Sequence, residues 1–272
     1  MRFTQAWLLL IFLAVTVPGC RLCGAGTLSR KHLVNAKVCF TGLVNWDFHH
    51  RRKLRSWKAT ALVIERTLEF WYPHAPSRLL VENGSPEIFE QFLRSLPGEK
   101  DCDFSVVYLA SHQSPAGEWD FTQQKTTLLN RLLEGTRIPN HPRRIVILDT
   151  CFAAAVQHED SWQERFAAIS LFASRSSEET PEVNFRDPQP VDFAHRYPGA
   201  FAWLKDCLGK QWDGKLSFLG FIWVQSFLTE KNSPADLIGW IAFLQRCQSV
   251  AKQFRDHLDG KLSSENTLTA RL

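Results

Sequence analysis

The chain has 272 residues, a formal net charge of +4 and 44% hydrophobic residues. This length fits one α/β domain or two small ones, and the apolar content excludes bulk disorder. The mild charge gives no case for a nucleic-acid-binding protein. The seven cysteines lack the paired spacing of a zinc site, and because seven is odd, at least one lies outside any intramolecular disulfide.

The first twenty residues are typical of an export signal. Arg2 supplies the positive start, and the apolar run at residues 6–17 is too short for a comfortable membrane span. We expect residues 1–19 to be a signal peptide and residues 20–36 a tether. The end of the run, Val-Pro-Gly-Cys20, resembles the bacterial lipobox, so Cys20 is the expected lipidation site of a membrane-anchored lipoprotein of a bacterial envelope. A cleaved signal of a secreted or periplasmic protein, or an uncleaved anchor, would also export the chain.

Strand-like and helix-like patterns alternate along residues 37–255, which we expect to form the folded domain. Short apolar runs predict strands at residues 38–44, 77–81, 104–110, 144–149 and 166–173. Periodic apolar positions predict helices at residues 59–71, from 85 onward, at 126–133 and at 235–254. Residues 216–227 fit either a strand or a buried helix, and residues 256–272 read as a polar tail. This alternation predicts a parallel sheet with helices on both faces.

Two of the predicted strands end beside chemically active side chains. The run at residues 104–110 is followed by Ser111 and His112, and the run at 144–149 is followed by Thr150 and Cys151. In open α/β sheets, ligands bind at the carboxyl ends of the strands. A thiol beside an imidazole is the minimal apparatus for covalent acyl transfer. The sequence therefore predicts a cysteine–histidine site at this edge of the sheet.

This order of residues resembles the caspase-like cysteine peptidases, the group that contains caspases, metacaspases and legumains. In that group an apolar strand ends in His-Gly, and a second strand some tens of residues later leads to the nucleophilic Cys. His112 and Cys151 are 151 − 112 = 39 residues apart, which suits this arrangement. The resemblance implies a caspase-like three-layer α/β/α sandwich with a mostly parallel central sheet.

The resemblance also implies an activity, that of a cysteine endopeptidase. Cys151 would be the nucleophile and His112 the acid and base, with the backbone N–H groups of Gln113 and Cys151 holding the oxyanion. Ser174, after the next strand, would border the substrate pocket. The expected partner is a protein or peptide substrate, with no cofactor, no metal and no nucleic acid.

Two further residues match pocket positions of metacaspases. Asp149 shares a strand face with the predicted nucleophile, and Ser111 directly precedes the histidine. Together they imply substrate binding and cleavage after Arg or Lys. The second pocket acid of metacaspases aligns with Thr60. Asp149 could instead cap the helix after the nucleophile or form an ion pair with Arg143 or Arg144.

Gln113 and Phe152 depart from the family pattern. Family members have Gly after the histidine, and Gln113 would be strained if that position required a positive φ. Phe152 is bulky and stands beside the thiol. These departures support an alternative function, a catalytically weak or inactive caspase-like scaffold that binds or regulates partners at the cell envelope. An esterase or transferase has no support, since no Gly-x-Ser-x-Gly elbow is present.

Overall fold

A computed structural model of the chain describes residues 35–47, 55–73, 78–121, 126–153, 166, 169–173, 182–184, 198–210, 212–229, 233–255 and 269–271. The predicted signal peptide, Cys20, nearly all of the tether and Ser174 lie outside these ranges. Within them, no helix combines the length and apolar character needed to cross a membrane.

The described residues form ten strands, most of them in one central sheet. In chain order they are β1 (Val38–Val44), β2 (Arg78–Glu82), β3 (Phe104–Ala110), β4 (Glu118–Asp120), β5 (Thr126–Leu128), β6 (Arg144–Asp149), β7 (Ile169–Phe172), β8 (Glu182–Asn184), β9 (Lys215–Ser217) and β10 (Thr269–Arg271). The central sheet has the order β10-β7-β6-β3-β1-β2, and β10 alone is antiparallel to its neighbour. β4 pairs with β5, and β8 with β9, as small antiparallel ribbons.

Helices cover both faces of this sheet. Within the described ranges they are α1 (Arg55–Trp71), α2 (Pro86–Arg94), α3 (Leu129–Gly135), α4 (Pro198–Leu208), α5 (Phe218–Thr229) and α6 (Leu237–Arg255). One apolar cluster joins the sheet to α1, α4, α5 and α6, and a second joins the other face to α2 and α3. The predicted three-layer α/β/α sandwich with a mostly parallel sheet is therefore confirmed.

The central strands are mainly apolar because both of their faces are covered. Every residue of β1, β3 and β6 is buried. Within β3, Val106 and Tyr108 pack in the first cluster, while Val107 and Leu109 pack in the second. Successive side chains of a strand point to opposite faces, so a strand between two helical layers has apolar residues at most positions and not only at alternate ones.

The ambiguous segment at residues 216–227 is the end of β9 followed by α5. Helix α5 is buried from Phe218 to Phe227, which explains why its sequence shows no polar face. Ser217 begins it as an N-cap, since its Oγ accepts a hydrogen bond from the N–H of Gly220 at 3.0 Å. A Cβ on Gly220 would lie 2.3 Å from Thr60 Oγ1, so glycine permits α5 to approach α1 this closely.

Three short strands differ from the sequence prediction. Residues 126–128 are β5 and only then does α3 begin, while β4 lies at residues 118–120, where no strand was predicted. The expected polar tail contains β10, which covers the edge of β7. Strands of three residues are too short to show a periodic pattern, and their pairing satisfies backbone groups that an open edge would leave exposed.

Arg144, at the start of β6, is a buried cation at the amino end of the sheet. Only 1% of its surface is exposed, and its guanidinium donates to the carbonyls of Pro139 at 2.7 Å, Pro97 at 3.0 Å and Phe166 at 3.4 Å. Burial lowers the pKa of Arg144 to about 10. The side chain therefore connects three separate chain segments through backbone acceptors.

We predict that Arg144→Lys lowers the free energy of unfolding by about 2–4 kcal/mol, because an ammonium cannot reach all three carbonyls and leaves buried acceptors unpaired. The matched control is Arg143→Lys, because Arg143 is the exposed neighbour of Arg144. This substitution should lower the free energy of unfolding by less than about 0.5 kcal/mol. Urea unfolding of both variants measures the difference. Equal stability of the two variants would contradict this role for Arg144.

Candidate active site

The loops after β3 and β6 run side by side at the carboxyl edge of the sheet. β3 and β6 are parallel neighbours, and Ala110 pairs with Asp149 at their ends. Beyond the strands, Thr150 Oγ1 donates to the carbonyl of Ser111 at 2.5 Å. One step further, the side-chain amide of Gln113 donates to the carbonyl of Phe152 at 3.1 Å.

These two hydrogen bonds bracket the predicted catalytic residues. On one loop, His112 lies between Ser111 and Gln113. On the other loop, Cys151 lies between Thr150 and Phe152. Both residues are half-buried, as a site open to a substrate requires. The structure thus brings His112 and Cys151 to neighbouring positions at one edge of the sheet, where the sequence expected them.

The histidine loop is held by a helix and by a short strand. The indole of Trp57, on α1, meets the imidazole of His112 edge-on, with 5.2 Å between the ring centres. The carbonyl of His112 accepts a hydrogen bond from the N–H of Asp120 in β4 at 3.0 Å. The sequence pattern did not single out Trp57, because it lies just before the predicted helix at 59–71 and a Trp there is typical of a core residue.

Gln113 is not strained. The described non-glycine residues with positive φ are Asn83 and Phe152, so the expected strain at Gln113 is absent. Gln113 forms an antiparallel bridge with Trp119. The flanking hydrogen bonds belong to the residues on either side, which makes this a non-hydrogen-bonded pair. In such a pair the backbone N–H of each residue points away from the partner strand. The N–H of Gln113 therefore points away from Trp119.

The strain lies instead at Phe152, directly after Cys151. Its φ is +55°, a conformation that costs a bulky residue on the order of 1–3 kcal/mol. The hydrogen bond from Gln113 to the Phe152 carbonyl helps to hold this turn. The two departures from the family pattern are thus in direct contact, and the Gln113 amide, which glycine lacks, connects the histidine loop to the cysteine loop.

Ser111 is buried, and its hydroxyl donates to the carbonyl of Asp120 at 2.6 Å. This bond holds the histidine loop against β4. The hydroxyl therefore serves the loop in this structure, rather than opening into a substrate pocket.

Asp149 is fully buried and does not open into a cleft. Its Oδ2 accepts hydrogen bonds from the hydroxyls of Tyr108 at 2.7 Å and Ser217 at 2.5 Å. The suggested ion pair with Arg143 or Arg144 is wrong. Arg144 begins β6 and Arg143 directly precedes it, while Asp149 ends the strand, roughly 16–20 Å away at strand spacing. The residues that donate hydrogen bonds to this carboxylate belong to β3 and β9, and sequence spacing alone does not connect these strands with Asp149.

The electrostatics of Asp149 follow from its burial. Burial raises the pKa of Asp149 to about 6, while hydrogen bonds from Ser217, Tyr108 and Trp57 oppose this change. Burial, and then the adjacent carboxylate, raises the pKa of Tyr108 well above its usual value. Tyr108 therefore remains a hydrogen-bond donor to Asp149 across the physiological pH range.

We predict a pH-dependent difference in stability between the wild type and Asp149→Asn. Because the folded-state pKa of Asp149 lies above its unfolded value of 3.8, its contribution is fully present below about pH 4 and is lost as the pH rises through 6. The wild type should lose about 2–3 kcal/mol relative to the Asn variant between pH 4 and pH 7, at about 1.36 kcal/mol per pKa unit. Urea unfolding of both proteins at several pH values measures this. A difference that is constant with pH would contradict it.

A second Cys–His pair lies at the opposite end of the sheet. Cys102 Sγ is 3.8 Å from His141 Nε2. Both side chains are buried, at 4% and 5% exposure. The pKa of Cys102 is raised by its hydrogen bond with Cys39 and by burial, and burial lowers the pKa of His141.

The backbone holds His141 in place and determines its tautomer. The N–H of Arg143 donates to His141 Nδ1 at 3.2 Å, so Nε2 carries the proton in the neutral ring and donates to the carbonyl of Cys102 at 3.0 Å. A neutral thiol and an imidazole that already donates to a carbonyl are not poised for proton transfer. We interpret Cys102 and His141 as residues of the packed core.

No family model and no curated protein sequence matches this chain. Solved structures do match it. The crystal structure of caspase-1 from Spodoptera frugiperda aligns with a TM-score of 0.52 at 9% identity, covering 88% of this chain and 87% of that one.

An alignment over 88% of the chain at this TM-score indicates a shared fold. The chain therefore has a caspase-like fold, the scaffold of a class of cysteine peptidases. At 9% identity the likeness shows the fold alone, and the roles of His112 and Cys151 stay predictions.

Proposed function

We propose that the protein is a cysteine endopeptidase that uses Cys151 as nucleophile and His112 as acid and base. The observation that carries this proposal is the pairing of the loops at 111–113 and 150–152, which sets the two residues side by side at the carboxyl edge of a caspase-like sheet. The Cys102–His141 pair offers similar groups, but it is enclosed.

In this mechanism His112 takes the proton from the Cys151 thiol, and the sulfur attacks the carbonyl carbon of the scissile peptide bond. The carbonyl oxygen becomes an oxyanion. His112 then protonates the leaving amine as the C–N bond breaks, which leaves a thioester. A water molecule, deprotonated by His112, hydrolyses the thioester and restores the thiol.

The backbone N–H groups of Gln113 and Cys151 are the proposed oxyanion donors. The N–H of Gln113 points away from Trp119 because the two residues form a non-hydrogen-bonded pair. A preorganised backbone donor contributes strongly to the stability of a developing oxyanion. The change from the family glycine does not remove this donor, since glutamine also has a backbone N–H.

The proposed substrate is a protein or peptide, and Asp149 does not give it a preference for basic residues. That preference required the carboxylate of Asp149 to meet the substrate side chain. Asp149 is enclosed by Tyr108 and Ser217, and Thr60, the aligned position of the second acid, also contacts Ser217. Asp149 therefore does not supply the physical basis for selecting Arg or Lys.

A second candidate function is a caspase-like scaffold that binds or regulates partners without efficient catalysis. One observation favours it: Phe152, half-buried and at a φ of +55°, places a large side chain directly after the thiol. A bulky group there can limit access of a peptide backbone to the sulfur.

Labelling separates these two functions. We predict that a thiol-directed peptidyl probe with an electrophilic carbonyl labels the wild type, and that Cys151→Ala abolishes labelling. His112→Ala should lower labelling by at least about 100-fold, since a positioned acid and base contributes 10²–10⁴-fold. Mass spectrometry of the labelled protein identifies the modified residue.

The matched controls are Cys102→Ala and His141→Ala, which alter the other Cys–His pair. Labelling of folded Cys102→Ala should equal that of the wild type. Loss of labelling in this control with retention in Cys151→Ala would exclude the proposed site. A wild type that binds peptides but does not react with the probe would favour the scaffold function.

We also propose that the chain is exported and anchored through Cys20. This rests on the apolar run at residues 6–17 and the lipobox-like sequence that ends at Cys20. We predict a mature N-terminus at Cys20 with a lipid on its sulfur, detected by mass spectrometry. An unmodified N-terminus beyond Cys20 would exclude the anchor, and an intact Met1 would exclude processing.

A further inference from the structure

A buried hydrogen-bond network lies directly below the candidate active site. It consists of Asp149, Tyr108, Ser217 and Thr60, here called the Asp149 network. These residues come from the end of β6, from β3, from the end of β9 and from α1, and each is at most 1% exposed. Within the network, the Ser217 hydroxyl bonds both to the Asp149 carboxylate and to Thr60 Oγ1, the latter at 3.0 Å.

The network reaches both proposed catalytic residues. Asp149 is two residues before Cys151, on the strand that delivers it. Tyr108 is on the strand that delivers His112, and its hydroxyl lies 3.4 Å from the carbonyl of Trp57. The ring of Trp57 packs against His112. One connected set of contacts therefore extends from the cysteine strand to the histidine ring.

Holding α5 in place does not require a carboxylate. The Ser217 Oγ already accepts from the N–H of Gly220, and Thr60 already bonds to the backbone N–H of Ser217 at 3.2 Å. A buried carboxylate costs free energy that a neutral acceptor would avoid. Its particular effect is to accept two hydroxyl hydrogen bonds at one oxygen, which joins β6 to β3 and β9 at a single point.

We propose that Asp149 is a positioning residue, which through Tyr108 and Ser217 holds the ends of β3 and β6 so that Cys151 and His112 keep their mutual orientation. This inference rests on the proposed function. It assigns Asp149 to the support of the catalytic pair and not to the substrate pocket. Misplacement of a reacting group by about 1 Å costs about 100-fold in rate, so loosening this point should be visible in the chemistry.

The test removes a single hydroxyl group and measures the reactivity of the Cys151 thiol directly. Tyr108→Phe deletes one donor to Asp149 and keeps the ring. We expect the rate constant for alkylation of Cys151 by iodoacetamide to fall by about 10- to 100-fold and its pH profile to shift. In peptide hydrolysis, kcat should fall by a similar factor with KM unchanged. Asp149→Asn, which still offers an acceptor oxygen, should retain more reactivity than Asp149→Ala.

The matched control is Tyr72→Phe. Tyr72 is also fully buried in the same apolar cluster, and its hydroxyl donates to the backbone carbonyl of Pro234. This variant loses a buried hydrogen bond without touching the Asp149 network. We expect normal alkylation of Cys151 and a similar loss of stability, so a general effect of weakened packing is separated from positioning.

The two proposals fail in different ways. If folded Tyr108→Phe alkylates and hydrolyses like the wild type, the positioning role is wrong. If Tyr72→Phe and Tyr108→Phe lower Cys151 reactivity equally, the role is also wrong. If the wild type hydrolyses no peptide while Tyr108→Phe alone slows alkylation, the peptidase function fails and the positioning of the thiol by Asp149 stands.

Discussion

The pairing of β3 with β6 is the constraint on which the site depends. Each strand carries one proposed catalytic residue just beyond its carboxyl end, and the ladder sets Ala110 opposite Asp149. A slip of one residue would turn every side chain of a strand to the opposite face. The continuous burial of both faces prevents such a slip, because it would break the packing of both helical layers at once.

Position in the sheet, more than residue type, distinguishes the proposed nucleophile Cys151 from the enclosed Cys102. Cys151 and Cys102 each have a histidine 39 positions away in the chain. Cys102 and His141 lie at the amino end of the sheet, enclosed, with the imidazole bonded to backbone groups. Cys151 and His112 lie at the carboxyl end, where loops follow the strands and both residues are half-buried. The two Cys–His pairs therefore contain the same side chains in different environments, and only the pair at the carboxyl end is proposed to react.

The family departures at Gln113 and Phe152 form one local arrangement. The glutamine amide donates to the phenylalanine carbonyl, across the two loops that carry the proposed catalytic residues. The strain of a positive φ at Phe152 persists because surrounding contacts hold it. A glycine after the histidine would offer no side chain for this contact, so this chain joins its two loops in its own way.

The sequence by itself determined the alternation of strands and helices, and also the edge of the sheet at which His112 and Cys151 lie. Both follow from local patterns, because runs of apolar residues indicate buried strands and their order along the chain gives the carboxyl end of each strand. The tertiary structure decided the environment of Asp149. Its partners, Tyr108 and Ser217, lie 41 and 68 positions away, so no local pattern reveals them. Likewise, β10 pairs with a strand about 100 residues earlier. Such contacts depend on which surfaces the packed core brings together, and only the folded chain specifies that.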